Sequence, residues 1–122
     1  MPGGTDYPGP ARSLQLSIAV VDRSERDAEV KGAKKPYTSR NGHMFSFLDD
    51  AGTMALRLSD GLGEEFLGRY ESGPVVQYGS VMRGYVSVPS DLLERTDELL
   101  GWFDRSYDWV GTLEPKPAER KK

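Results

Sequence analysis

Cysteine is absent from the 122-residue chain, which excludes a disulfide framework, a thiolate metal site and a cysteine nucleophile together. Histidine occurs once, as His43, so no constellation that needs two imidazoles can form. No apolar run approaches the roughly 18 residues that cross a bilayer. The opening Met-Pro-Gly-Gly-Thr-Asp also lacks the basic and then apolar layout of a signal peptide. The expectation is a soluble, cytoplasmic protein with no membrane partner. A basic excess is missing too: 19 acidic against 16 basic residues leave a net charge of -3, which argues against the broad positive face that supplies non-specific nucleic-acid affinity.

What the chain does have suits one compact domain. Its length leaves no room for a second core, and 37% apolar residues suffice for one without cross-links. Residues 1–10, MPGGTDYPGP, hold three prolines and three glycines and are expected to form a flexible leader. The domain is expected over residues 11–114, followed by a solvated basic tail over 115–122.

From Leu14 to Val21 the apolar residues fit two templates. Leu14, Leu16, Ile18 and Val20 alternate as in a strand, whereas Leu14, Ile18 and Val21 recur at helical spacing. Ser13 as an N-cap and the absence of β-branched and aromatic residues from Asp22 to Glu29 favour a helix from Ala11 to Arg26. Residues 31–42 carry four basic charges and no acid, with Pro36 and the pair Asn41-Gly42, and read as a loop entering a hairpin. His43 to Leu48 and Thr53 to Leu58 are the hairpin strands, with Asp49-Asp50-Ala51-Gly52 as the turn. Ser59 caps a helix through Tyr70 that places Leu62, Phe66, Leu67 and Tyr70 on one side. Val75 to Tyr78 and Gly84 to Val88, closed by Pro89, complete a small sheet. Helical spacing of Leu92, Leu99, Phe103, Tyr107 and Val110, widened by Trp102, Trp109 and Leu113, predicts an amphipathic segment from Ser90 to Leu113. Thr96-Asp97-Glu98 marks a fresh start within it, and Pro115 ends it.

Four stretches in order, KKPYTSRNGHMFSFL over 34–48, Met54-Ala-Leu-Arg-Leu, Val81-Met-Arg-Gly-Tyr-Val-Ser-Val-Pro and the run from Trp102 through Leu113-Glu-Pro-Lys-Pro, resemble the TfoX (Sxy) N-terminal-domain family. Met44-Phe45 and Ser106-Tyr107 are also similar to YjbR-like proteins. The order and spacing, rather than any one motif, carry the resemblance, which spans about residues 30–117. It implies an α+β fold: a curved antiparallel sheet with helices packed on one face, a two-layer sandwich, and it favours helix for Ala11 to Arg26. Where family members commonly carry two glycines after Met-Phe, this chain has Ser46-Phe47. Full-length competence regulators of the family add a C-terminal domain that 122 residues do not accommodate.

Candidate chemistry is sparse. His43 beside Asn41, Asp49 and Asp50 has the makings of a general base, yet no nucleophile or second ligand is tied to it, and an ordinary strand-edge residue is the simpler reading. Asp49-Asp50 does not continue into the alternating oxygen ligands of a calcium loop, and Gly61 to Gly63 lacks the strand and lysine of a phosphate loop. Lys31, Lys34, Lys35 and Arg40, with Tyr37 among them, form a candidate nucleic-acid contact, against the reading of a solvated loop. Trp102 and Trp109 divide between core and an exposed edge that docks a partner protein.

The sequence thus leads to an expected non-catalytic protein-interaction or transcription-regulatory module. Its partner is another protein or a second copy, it needs no cofactor or metal, and it has no catalytic residues. One alternative is a weak nucleic-acid binder using the 31–40 loop. The other is a small ligand-binding protein or enzyme whose pocket lies between sheet and helices, near His43, Tyr78 and Tyr85.

Overall fold

A computed structural model of the chain describes residues 7–32, 34–73, 75–77 and 79–115. Tyr78, most of the expected leader and all but the first residue of the expected tail fall outside them. The fold is α+β, and the described residues form a four-stranded antiparallel sheet, a two-stranded ribbon and four helices.

Helix α1 spans Ala11–Arg23, which resolves the ambiguity of the 14–21 stretch. Leu14, Ser17, Val20 and Val21 are buried at helical spacing. Its N-cap is Pro10, and Ser13, expected as the cap, lies inside the first turn. The helix stops at Arg23, short of the expected Arg26. Ser24 turns extended, and the Arg26 side chain reaches Asp104 and Asp108 instead. Of the expected leader only residues 7–10 are described, and there Tyr7 packs on the core and donates its hydroxyl to the Asp49 carbonyl.

Strands β1 (Tyr37–Arg40), β2 (His43–Leu48), β3 (Met54–Arg57) and β6 (Tyr85–Ser87) form one sheet in the order β1-β2-β3-β6. The β2–β3 hairpin is as expected. The expected 31–42 loop is corrected at its second half, because residues 37–40 pair with β2 across Asn41 (φ 56°) and Gly42 (φ 81°). Two successive positive φ values suit a tight hairpin turn whose twist matches its strands, and Asn-Gly supplies them at little cost.

Along β2 the register slips once. Thr38 faces Ser46 but Ser39 faces Met44, which leaves Phe45 as an extra residue without a partner. Such a bulge flips the side-chain alternation. Phe45 therefore joins the helix side of the sheet, fully buried, with Phe103 at 5.2 Å and Tyr107 at 5.8 Å between ring centroids. Phe47, two residues on, packs with Ala55 and Tyr85 in a separate cluster. Thr38 and Ser46 share a buried hydroxyl–hydroxyl bond on the same rung.

Helix α2 (Asp60–Arg69) is capped as expected, with Ser59 Oγ accepting from the Leu62 amide. Phe66 is its one fully buried side chain, and Leu67, expected on the same side, is 52% exposed. The described part of the expected 75–78 strand does not join the main sheet. β4 (Val76–Gln77) pairs instead with β5 (Ser80–Val81) in a separate two-stranded ribbon. The C-terminal segment divides where expected, into α3 (Ser90–Glu94) and α4 (Thr96–Val110). Thr96 is the first helical residue rather than the cap, and α4 ends at Val110 on Gly111, before Leu113 and Pro115.

One core fills the space between helices and sheet, and Val20, Phe45, Leu56, Phe66, Leu92, Leu99, Phe103 and Val110 are wholly enclosed in it. Phe45→Ala is expected to lower folding stability by about 3–5 kcal/mol in urea unfolding, and exposed Leu67→Ala by less than about 0.5 kcal/mol. Similar losses at both positions would remove Phe45 from the core.

Candidate functional site

The two faces of the sheet differ. On the helix side the layers close tightly, and the space left between α1 and the sheet, beside Ser17, Val21 and Thr38, is only about 10 Å³. That space is too small to hold a ligand, and Tyr78, expected to line a pocket between sheet and helices, lies outside the described residues. His43 is half-buried, and its Nε2 donates to the Glu114 carbonyl at 2.8 Å. It ties the chain after α4 to the start of β2, and among the described residues no serine hydroxyl is bonded to it.

On the opposite face lies a second apolar cluster: Phe47, Ala55 and Val75, with Tyr37, Met44, Met82 and Tyr85 packed around them. Phe47 and Tyr85 rings lie 5.6 Å apart, and Tyr85 donates its hydroxyl to the Met44 carbonyl at 2.6 Å. Burial raises the Tyr85 pKa, opposed by the nearby Arg57 charge, so this hydroxyl stays a neutral donor. The β4–β5 ribbon overhangs this face and is fastened by the Met82 amide, which donates to the Val75 carbonyl at 2.8 Å.

Between ribbon and sheet opens a groove of about 680 Å³. Tyr37, Met44, Phe47, Leu48 and Met82 supply its apolar surface, and Lys35, Asp49, Asp50 and Gln77 its polar groups. Asp49 is committed to the turn, since its Oδ1 accepts from the Ala51 and Thr53 amides, both at 2.9 Å. Tyr7 beneath it has its pKa raised by burial, then by the Asp49 and Asp50 charges. On the ribbon, Val76 and Val81 stand opposite each other across the strands, 51% and 61% exposed. An exposed apolar pair beside an apolar groove is the main departure from an ordinary polar surface.

The candidate nucleic-acid set is dispersed. Lys31, Lys34 and Lys35 are exposed, with Lys31 reaching Ser39 Oγ at 3.3 Å. Tyr37 is half-buried in the groove cluster. Arg40 does not belong with them: it donates to the Tyr107 carbonyl at 2.9 Å and lies 4.1 Å from the Tyr107 ring centroid. It thus caps the C-terminal end of α4, where a cation complements the exposed carbonyls. A Cβ at Gly111 would meet the Arg40 guanidinium, so any larger residue there displaces the tip of that side chain.

The two tryptophans also part ways. Trp102 is 3% exposed, sits edge-on to Phe66 at 5.1 Å and donates its indole N–H to the Tyr70 hydroxyl at 3.1 Å. The expectation of a docking role fails for it, because its ring is already covered by the chain's own aromatics. Trp109 is half-buried, with the Arg57 guanidinium 5.5 Å from its ring centroid.

The methionines and valines of the groove were not singled out as a site from the sequence. The one available signal was the pair of short apolar runs at Val75-Val76 and Val81-Met82 flanking Gly79, which has a φ of 78°. Among the described residues no cluster of three or more candidate metal ligands forms, and no helix is long and apolar enough to cross a membrane. No family model, no curated protein and no solved structure matches the chain.

Ionic contacts concentrate where α1's exit meets α4. Arg26 donates from Nε and a terminal nitrogen to both Asp108 oxygens, at 2.9 and 2.7 Å, and this holds the Asp108 carboxyl below the ordinary value of 3.8. A depressed folded-state pKa gives stability that is present above the unfolded value and is lost as pH falls through the folded one. Asp108→Asn is therefore expected to lower the melting temperature slightly near neutral pH and to match the wild type once pH is well below 3.8. The loss is small because the pair is solvent-exposed. A difference that persists unchanged in acid contradicts this assignment.

Proposed function

We propose that the chain is a non-catalytic protein-interaction module of the TfoX N-terminal-domain type that pairs with a second copy of itself through the outer face of its sheet. The carrying observation is the placement of an apolar knob and an apolar hollow on one face: Val76 and Val81 on the ribbon, beside the groove of Tyr37, Met44, Phe47 and Met82. A two-fold interface needs a patch that complements itself, and a knob beside a hollow meets that condition. The charges agree with it. Exposed Lys34 and Lys35 precede the groove's entrance strand, and exposed Asp50 lies at its turn, so a two-fold arrangement sets basic against acidic rims. Methionines along the groove give it an adaptable surface. The ordered motifs described above support the family reading, and the α+β architecture is compatible with it.

Sedimentation velocity and light scattering over a concentration series test this reading. The wild-type chain is expected to dimerise toward high micromolar concentration. Val81→Asp and Met82→Glu are expected to weaken the dimer at least about tenfold, with thermal melts close to wild type. A wild-type chain that stays monomeric throughout, or variants that dimerise as well as it does, overturns the proposal.

One observation favours another occupant: 680 Å³ falls in the range of about 300–1,000 Å³ typical of small-molecule pockets. An apolar compound that raises the melting temperature of a monomer, with the shift lost in Met82→Glu, is the outcome that would replace self-association with ligand binding.

A further inference from the structure

A second cleft lies at the other end of β3, away from the groove. The Leu58 amide donates to the Gly84 carbonyl at 2.9 Å, which holds the turn carrying Arg83 beside the start of α2. Between that turn, the Ser59 cap and Trp109 is a cleft of about 510 Å³, lined by Arg57, Ser59, Asp60, Arg83 and Trp109.

Its arginines differ from most others in the chain. Arg12, Arg23, Arg26, Arg95 and Arg105 each bridge a carboxylate, and Arg40 caps α4. Arg57 and Arg83, by contrast, have no carboxylate partner within 4.0 Å among the described residues. Arg57 is also half-buried, and a partly desolvated guanidinium gains most from an anion that restores its lost hydrogen bonds. Asp60 lines the same cleft but stands outside salt-bridge reach of both. The Trp109 indole N–H has no acceptor among the described residues, and the Arg57 guanidinium lies over one face of its ring, 5.5 Å from the centroid.

We propose that this cleft binds a phosphate monoester carried on a planar ring. The phosphate is held by the Arg57 and Arg83 guanidiniums, and the ring stacks on Trp109. Planar guanidinium forks match phosphate oxygens two at a time, which a lysine cannot do. An indole face stacks on any flat ring regardless of its substituents. The Leu62 amide is capped by Ser59, and the remaining first-turn amides of α2 add partial positive charge at the same end. The volume suits a ligand of mononucleotide size. Two sources share this chemistry, a free nucleoside monophosphate and a phosphotyrosine side chain of another protein.

Phenyl phosphate is the minimal probe, read by intrinsic tryptophan fluorescence and by calorimetry on the full chain. Trp102 is buried, so quenching reports on Trp109. Saturable quenching is expected, weakened about tenfold by Arg83→Gln and again by Arg57→Gln. Arg69→Gln, on the exposed side of α2, is expected to bind as wild type. Arg83 is exposed, so its variant keeps the test valid if Arg57→Gln is destabilised. Tighter binding of adenosine monophosphate than of a phosphotyrosyl peptide assigns the free nucleotide, and the reverse order assigns the protein source. Absence of saturable binding to every probe at millimolar concentration overturns the proposal, as does affinity unchanged in both arginine variants. Inorganic phosphate binding as tightly as phenyl phosphate overturns the role of the ring.

Discussion

One extra residue in one strand decides how this sheet is used. Phe45 has no partner on β1, and the resulting bulge sends Phe45 and Phe47 to opposite faces although they are two residues apart. Without the bulge, strict alternation would place both on one side. With it, the helix side gains an enclosed ring against Phe103 and Tyr107, and the outer side gains the aromatic floor on which Tyr85 and the ribbon rest. The bulged strand therefore serves two clusters.

The helix side is then fixed by contacts between segments far apart in sequence. Arg40 reaches across to the last turn of α4, Ser106 donates its hydroxyl to the Arg57 carbonyl, and Ser24 donates to Asp104 at 2.6 Å. These join α4 to the start of the sheet, to β3 and to the exit of α1. Each satisfies a polar group that packing would otherwise strand. On the outer face Tyr85 donates to the Met44 carbonyl, and the ribbon leaves Val76 and Val81 exposed.

Much of the fold was legible where local chemistry and long-range packing agree. The 43–58 hairpin carries its own turn, with Asp49 bonding the Ala51 and Thr53 amides. The Ser59 cap and the break before Thr96 were equally local. Strand β1 was missed because Tyr-Thr-Ser-Arg sits in a basic, proline-marked stretch and becomes a strand only by pairing with β2. Leu67 was misplaced because four apolar residues on a short helix do not say which three face the core. Arg40 looked like a free surface charge since its partner lies 67 residues away. The groove was hidden for the same reason: its walls come from β1, β2 and the ribbon, and neither methionine marks it by any local pattern.

The division of the two phenylalanines is open to direct measurement by nuclear Overhauser contacts from selectively labelled rings. The account predicts contacts from Phe45 to Phe103 and Tyr107, and from Phe47 to Tyr85, with no crossing between the sets. Contacts from both rings to the helix α4 aromatics would contradict it, and with them the open apolar face on which the proposed pairing depends.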